Sequence, residues 1–462
     1  MAYSDPHVML MLGRAMGSVT IGLDIGTTSV KAVAVDGAGT IVARSRIPHR
    51  LLVPAPDQME HDANLAWRLG PRRALAALGD VDAVAVAVAA MVPSLTAVDA
   101  RGRPLTPGLL YGDARGRPSG RSTSGPTGDG EVVGFLGWTA QIAPQARGFW
   151  PAPAVANRAL GGTAAIDLAV AFTSMPLYGE NGWDSEVCAE CGVRSEQLPA
   201  VEMFGTAVGR LDGTGPTLCA GTVDVWCEQL VAGAGEDGDV HVICGTTLLV
   251  WAVVDEPSDA PGLWTVGHRI PGRHLVGGAS NAGGLFIDWA SRLLGRPRAG
   301  DQLDPANIPV WAPYPRGERT PYHDPARRAA LHGLDLTHGA AAGQRAAWEA
   351  SGFVVRHHLD LAGVRPRRVV ATGGGTRSDG WMQALADVTG IPVHVAAAPE
   401  GAARGAAFLA RIAAGLETDI NEADRWACTG RVVEPDPSWV PAVSDRYAQF
   451  MEVSGTPEAA ES

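Results

Sequence analysis

Gly26-Thr27-Thr28 follows a short apolar run and sets backbone N–H groups and two hydroxyls where no bulky side chain blocks approach. That arrangement suits phosphate oxygens. Gly245-Thr246-Thr247 repeats it far downstream. Two such turns, facing each other from two lobes, could hold one nucleoside triphosphate from both sides. A third turn, Gly373-Gly374-Gly375, follows another apolar run and opens a helical pattern, a place where bare backbone can lie flat against a purine or ribose. Each turn taken singly is equally well read as a plain tight turn; the three together are not. Asp24 stands immediately before the first turn, where its charge would repel phosphate unless a divalent cation, naturally Mg2+, lay between them. Asp224 ends a second short apolar run after Gly221. A carboxylate placed there could accept the proton of a hydroxyl as its oxygen attacks a γ-phosphorus. Either aspartate alone would also serve as a turn or cap residue.

These residues need elements to hold them. Runs 19–24, 29–35 and 40–45 read as three strands of a meander, joined at 25–28 and 36–39 by glycine-bearing turns. Runs 240–244 and 248–254 repeat the first hairpin around Gly245, and Asp36 and Asp255 each stand ten positions after the glycine of their turn. The pattern is that of an internal duplication into two lobes. Run 81–90 (VDAVAVAVAA) is nearly unbroken and apolar, as in a strand buried on both faces. A helix is expected over 343–362, a strand over 369–372, a helix over 381–388 and a strand over 391–395, which is an α/β unit. The helix over 401–414 turns glycine and alanine toward whatever it packs against.

A chain of 462 residues is long enough for two or three domains with a cleft between them. Its net charge of −12, without a basic stripe, argues against nucleic acid as a partner. No apolar stretch reaches the roughly 18 residues needed to cross a bilayer, so no membrane role is expected. Six cysteines are too few for a disulfide scaffold and suit a reducing, cytoplasmic setting. Residues 1–17 are set outside the fold, with Met9, Met11 and Met16 as alternative starts.

The segments GLDIGTTSVKAVAVD, GTVDVWCEQLVAGAG, WAPYPRGERTPYHDPARRAALHGL and ATGGGTRSDGW resemble the FGGY carbohydrate kinases, in the family's order and over about residues 19–416. The likeness is nearest to xylulokinase. It implies an α/β fold of two actin-like, ribonuclease-H-like lobes with a cleft between them. Lobe 18–215 would carry the sugar site and first phosphate loop, and lobe 216–440 the ATP site. It further implies transfer of a phosphoryl group from ATP, with Mg2+, to a small-molecule sugar or polyol, most simply a ketopentose. By the same resemblance Asp224 is the catalytic base, and Asp24 and Asp224 attend the metal. Gly26, Thr27, Thr28 and Lys31 belong to the first phosphate loop, and Gly245 and Thr246 to the second. Gly284 and Asp288 contact nucleotide from a helix, and Gly374, Gly375 and Ser378 form the adenosine turn. A homodimer is expected by resemblance alone.

The sugar side departs from the family. Where relatives carry a Met-His or Arg-Glu pair, this chain reads Met91-Val92-Pro93-Ser94; Tyr111 stands where relatives place a Trp, and Asp113 with Arg115 keeps a local Asp-x-Arg pattern. Met91, Tyr111, Asp113 and Asp224 are therefore the expected substrate contacts. A kinase for erythritol, glycerol or a ketohexose stays open, as does a non-catalytic sensor that binds nucleotide and sugar. The run 114–131, rich in Gly, Ser, Pro and Arg, reads as a mobile loop, either idle or a lid. Cys188 and Cys191 lack a second pair at zinc spacing and read as ordinary thiols, with a metal site as the minor alternative. His357-His358 reads as a surface pair and Arg365 to Arg368 as a solvated turn or a phosphate-steering patch. Of the tryptophans, Trp138, Trp150 and Trp183 are candidates for the sugar's neighbourhood.

Overall fold

The computed structural model describes residues 17–115 and 131–455, apart from 269, 271, 296, 298–302 and 399. Most of the loop at 114–131 therefore lies outside the described residues. The chain divides into two compact units. One runs through Val231 and takes back Glu400–Trp426; the other comprises Ala232–Pro399 and the chain from Ala427 onward. The division thus falls at 231/232, where the sequence suggested 215/216. Strand Thr217–Cys219 explains the difference, because it pairs with Ala83–Ala90 and so extends the first unit's sheet.

That sheet runs in the order Ala207–Arg210, Thr217–Cys219, Ala83–Ala90, Val19–Ile25, Ser29–Val35 and Ile41–Pro48. Val19–Ile25 is antiparallel to Ser29–Val35 and parallel to Ala83–Ala90. Ala83–Ala90 is buried at every position but Val84, as its apolar run requires. Helix Gly401–Ala413 lies on this sheet, and its small residues show why it can. A Cβ on Gly22 would stand 1.7 Å from the Ala403 carbonyl oxygen, and one on Gly405 would stand 2.0 Å from that of Cys227. Strand, helix Gly401–Ala413 and helix Asp224–Leu230 meet backbone to backbone, which no larger residue permits.

The second unit repeats the scheme. Its sheet orders Trp264–Gly267, His274–Ser280, Leu248–Val254, Asp239–Cys244, Arg368–Thr372, Val393–Ala396 and Thr429–Val433. Again an antiparallel hairpin around a Gly-Thr-Thr turn is flanked by a parallel strand on its first arm. Helix Ala340–Ala362 is buried over most of its 23 residues and packs into a core with Phe286, Trp311, Trp381 and Phe450. Buried Glu349 there accepts hydrogen bonds from Arg345 and Arg446, both at 2.7 Å.

This helix corrects the reading of His357-His358. Both are buried, at 2% and 1% exposure, and His358 bonds to Thr320 and to the Val354 carbonyl. The pair faces the interior because the helix is enclosed on several sides. The arginine run is likewise corrected in part: Arg367 and Arg368 form ion pairs with buried Asp239 at 2.8 and 2.9 Å, fixing the start of strand Asp239–Cys244. Among the described residues, no helix is long and apolar enough to cross a membrane.

Candidate active site

Strand order places the acidic residues. Ala89 is the register partner of Asp24 on one side and of Thr222 on the other, so Asp24 and Asp224 both lie at the carboxyl ends of parallel strands. Open α/β sheets bind ligands there. Asp24 faces Lys31 across the hairpin, and their side chains form an ion pair at 2.8 Å. Asp224 is the first residue of helix Asp224–Leu230, and its Oδ1 accepts the Val225 N–H at 2.7 Å. Burial first, then the charge of Asp24, raises the Asp224 carboxyl from 3.8 to about 7, while the Val225 N–H and Lys31 pull it down. The same side chain is only half-buried by its accessible surface, so it stays within reach of a ligand. Asp24's charge is also the main influence holding the Lys31 ammonium above its ordinary value.

The Gly26 turn is held from behind. The Gly26 N–H donates to the Ser29 carbonyl, the Thr28 carbonyl accepts the His49 N–H at 2.9 Å, and the Thr27 carbonyl bonds to His61 Nε2 at 2.8 Å. Thr27 is buried and its hydroxyl pairs with Tyr111 at 2.9 Å; Thr28 is exposed. Among the described residues, the N–H groups of Thr27 and Thr28 take no acceptor. Met91 is buried, with its N–H on the Ile25 carbonyl, and shares an apolar cluster with Met59 and Tyr111. Asp113 is fully buried and both its oxygens are occupied, by Met59 N–H at 2.7 Å and by Arg115 at 2.6 to 3.2 Å. Arg115 also pairs with Glu60 at 2.6 Å and lies over Trp138. Asp113 and Trp138 thus hold Arg115, and no oxygen of Asp113 is left to offer a sugar.

In the second unit the turn carbonyls are occupied as well. Gly245 and Thr246 accept the N–H groups of Gly284 and Leu285, at 2.8 and 3.1 Å, and so cap helix Gly284–Leu294. The Thr246 and Thr247 N–H groups take no acceptor among the described residues. Gly373 and Gly375 lie against Cys244, where an added Cβ would come within 2.9 and 2.8 Å of its carbonyl oxygen; Gly374 faces open space. Within the second unit, the segments at Gly245, Gly284 and Gly373 to Gly375, which sequence separates widely, therefore converge. Asp288 is exposed one turn into its helix, and the Ser378 hydroxyl oxygen caps helix Asp379–Thr389 through the Trp381 N–H.

Sequence reasoning passed over several neighbours. His61, in the mixed stretch 58–62, and Trp67 a few residues on lie behind the first turn, a signal readable only once the fold brings them to Thr27. Glu318, in the GERTP segment, accepts from the Ser280 hydroxyl and the N–H groups of Asn281 and Arg319, and burial lifts it to about 7. It secures the loop that leads into helix Gly284–Leu294. Of the tryptophans that the sequence did single out, Trp150 and Trp183 pack, with Trp226, against the cluster containing Val223, just before Asp224, and Trp138 lies under Arg115. Cys188 is buried in an apolar cluster with Leu95 and Phe135.

Comparison with known proteins agrees with this geometry. The chain is 29% identical over 448 residues to the xylulose kinase of Escherichia coli (strain K12), covering 87% of this chain and 91% of that protein. It is 25% identical over 491 residues to glycerol kinase 2 of Streptomyces avermitilis, covering 93% and 94%. The crystal structure of xylulose kinase from Rhodospirillum rubrum superposes with a TM-score of 0.73 at 26% identity, covering 94% of this chain and 98% of that one. The N-terminal domain of the FGGY family of carbohydrate kinases matches residues 19–125 and its C-terminal domain matches residues 240–414. The chain belongs to that family, with its two-lobed actin-like fold and its ATP-dependent transfer of phosphate to an alcohol group of a sugar.

Proposed function

We propose that this kinase phosphorylates a ketopentose such as xylulose, with Asp224 as general base. The observation that carries the reading is a carboxyl raised to about 7 at a strand end, beside a second carboxylate and a lysine. A base works best when its proton affinity lies near the working pH. The Asp224 carboxylate takes the proton of the acceptor hydroxyl as that oxygen bonds to the γ-phosphorus and the bond to ADP breaks. The open N–H groups of Thr27 and Thr28 receive charge on the transferred phosphoryl, assisted by Lys31. Gly245, Thr246, Gly284, Asp288, Gly374, Gly375 and Ser378 hold the nucleotide, and Met91 and Tyr111 border the sugar. Asp113 acts through Arg115.

Mg2+ fits the donor set. Asp24 and Asp224 offer hard oxygen donors whose mutual repulsion Lys31 relieves in part, and the ion commonly takes one or two carboxylates besides phosphate and water. When bound it supplies positive charge against the phosphate oxygens. Six free cysteines suit a reducing compartment.

Xylulose is favoured by the identity to xylulose kinases. The replaced pair at Met91-Val92 keeps a second reading, a kinase for another polyol or a sugar sensor without turnover. Coupled ADP release with MgATP against ketopentoses, ketohexoses, pentitols, erythritol and glycerol decides between them. One sugar should give turnover that Asp224→Ala lowers by about 10² to 10⁴. Turnover on another polyol alone replaces the substrate; ATP binding without turnover on any establishes the sensor; full activity of Asp224→Ala refutes the base.

A further inference from the structure

The first phosphate turn is gripped by its carbonyls and leaves the Thr27 and Thr28 amides without an acceptor among the described residues, and a buried histidine supplies one of the grips. His61 has no exposed surface. Its Nε2 lies 2.8 Å from the Thr27 carbonyl, and its Nδ1 accepts the indole N–H of Trp67 at 3.0 Å. An indole only donates, so Trp67 fixes Nδ1 as an acceptor and leaves Nε2 as the N–H that donates to Thr27. Burial holds the ring neutral, with its proton affinity down to about 3. The His49 ring stands edge-on at 4.5 Å, and the His49 N–H holds the next carbonyl, Thr28. A peptide plane whose oxygen is pulled toward the interior turns the N–H of the following residue outward, because the two point in opposite directions.

We propose that His61 is a positioning residue for phosphoryl transfer: by holding the Thr27 carbonyl it aims the Thr28 N–H at the terminal phosphate of ATP. Trp67 sets the tautomer that lets it do so. The proposal rests on the reading of the Gly26 turn as a phosphate site, and it adds a part that the glycine and threonines cannot play themselves. His61 touches neither substrate, so its effect passes through the turn's backbone.

His61→Gln keeps an N–H near the position of Nε2; His61→Leu fills similar space with none; Trp67→Phe removes the indole N–H that fixes the tautomer, together with part of a buried ring. Affinities for ADP and for the non-hydrolysable analogue AMPPNP, with Mg2+, are measured by titration calorimetry beside melting midpoints and steady-state constants. His61→Leu should lose the extra affinity for AMPPNP over ADP and fall about 10- to 100-fold in kcat/KM for MgATP. ADP affinity and sugar KM should stay within about threefold, with His61→Gln near wild type and Trp67→Phe between. Equal losses in His61→Gln and His61→Leu, or a His61→Leu that keeps the AMPPNP preference, overturns the proposal. If wild type turns over no sugar, the substrate assignment fails, and the AMPPNP-over-ADP difference still decides the role of His61 without catalysis.

Discussion

Replacing Asp224 by Asn should stabilise the protein while abolishing turnover, and the gain should depend on pH. A carboxyl whose proton affinity is raised by the fold binds more protons folded than unfolded between its two values. Stability therefore falls as pH rises through that window. For Asp224 the window runs from 3.8 to about 7, corresponding to about 4 kcal/mol at about 1.4 kcal/mol per pH unit. The side chain is half-buried and its charge is shared with Asp24 and Lys31, which reduces the expected effect to about 2 kcal/mol. Asparagine never ionises, keeps an oxygen for the Val225 N–H, and escapes this loss. Scanning calorimetry at pH 8 should place the Asp224→Asn midpoint about 2 to 4 °C above wild type, at about 1 to 2 °C per kcal/mol for a chain of 462 residues. At pH 4.5 wild-type Asp224 is already protonated in the fold, and the difference should shrink below about 1 °C. No gain at pH 8, or one equal at both pH values, would refute the claim that Asp224 is held near neutrality by burial and Asp24.

Lys31→Met should lower turnover at pH 7 on the order of tenfold and move the acid limb of kcat/KM to higher pH, since Lys31 pulls the proton affinity of Asp224 down; a limb that stays or moves to lower pH contradicts the coupling. Gly22→Ala should cost about 3 kcal/mol or more, read in urea unfolding, because its Cβ meets the Ala403 carbonyl oxygen at 1.7 Å. Gly26→Ala meets nothing nearer than 3.5 Å and should unfold within about 1 kcal/mol of wild type. Similar losses in the two would show that helix Gly401–Ala413 is not in backbone contact with the strand.

Local pattern carried much of this architecture. The hairpins at Gly26 and Gly245 and strand Ala83–Ala90 follow from apolar runs broken by turn residues, and the observed bounds differ from the sequence reading by a few residues at most. What pattern could not carry was the surroundings of each element. His357 and His358 look polar on paper, yet helix Ala340–Ala362 is enclosed, and only tertiary packing decides that. The Asp113-x-Arg115 pattern reads as a substrate contact until Glu60, brought by a distant strand, closes the arginine's other side. The carboxylates of the site were legible because each ends an apolar run before a turn or helix. His61 was not, since its role depends on Thr27 being across the fold from it.

The duplication itself explains why the two turns cannot share one chemistry. Aligning Gly26 with Gly245 sets Asp24 against Ile243. In the first hairpin Asp24 faces Lys31; in the second Ile243 faces Leu249, with the register one residue tighter around the turn. Among the described residues, both hairpins leave the amides of the two residues after the glycine without an acceptor, so both can receive phosphate oxygens. Only the first carries a carboxylate and an ammonium beside them, and only its sheet adds a further strand whose end delivers Asp224. A cation and a proton acceptor can therefore act at the first turn alone. The second turn has an apolar pair behind it and the bare backbone of Gly374 and Gly375 at its side, which suits holding a nucleotide without reacting with it. The two turns thus differ by the exchange of an ionic pair, Asp24 and Lys31, for an aliphatic one, Ile243 and Leu249.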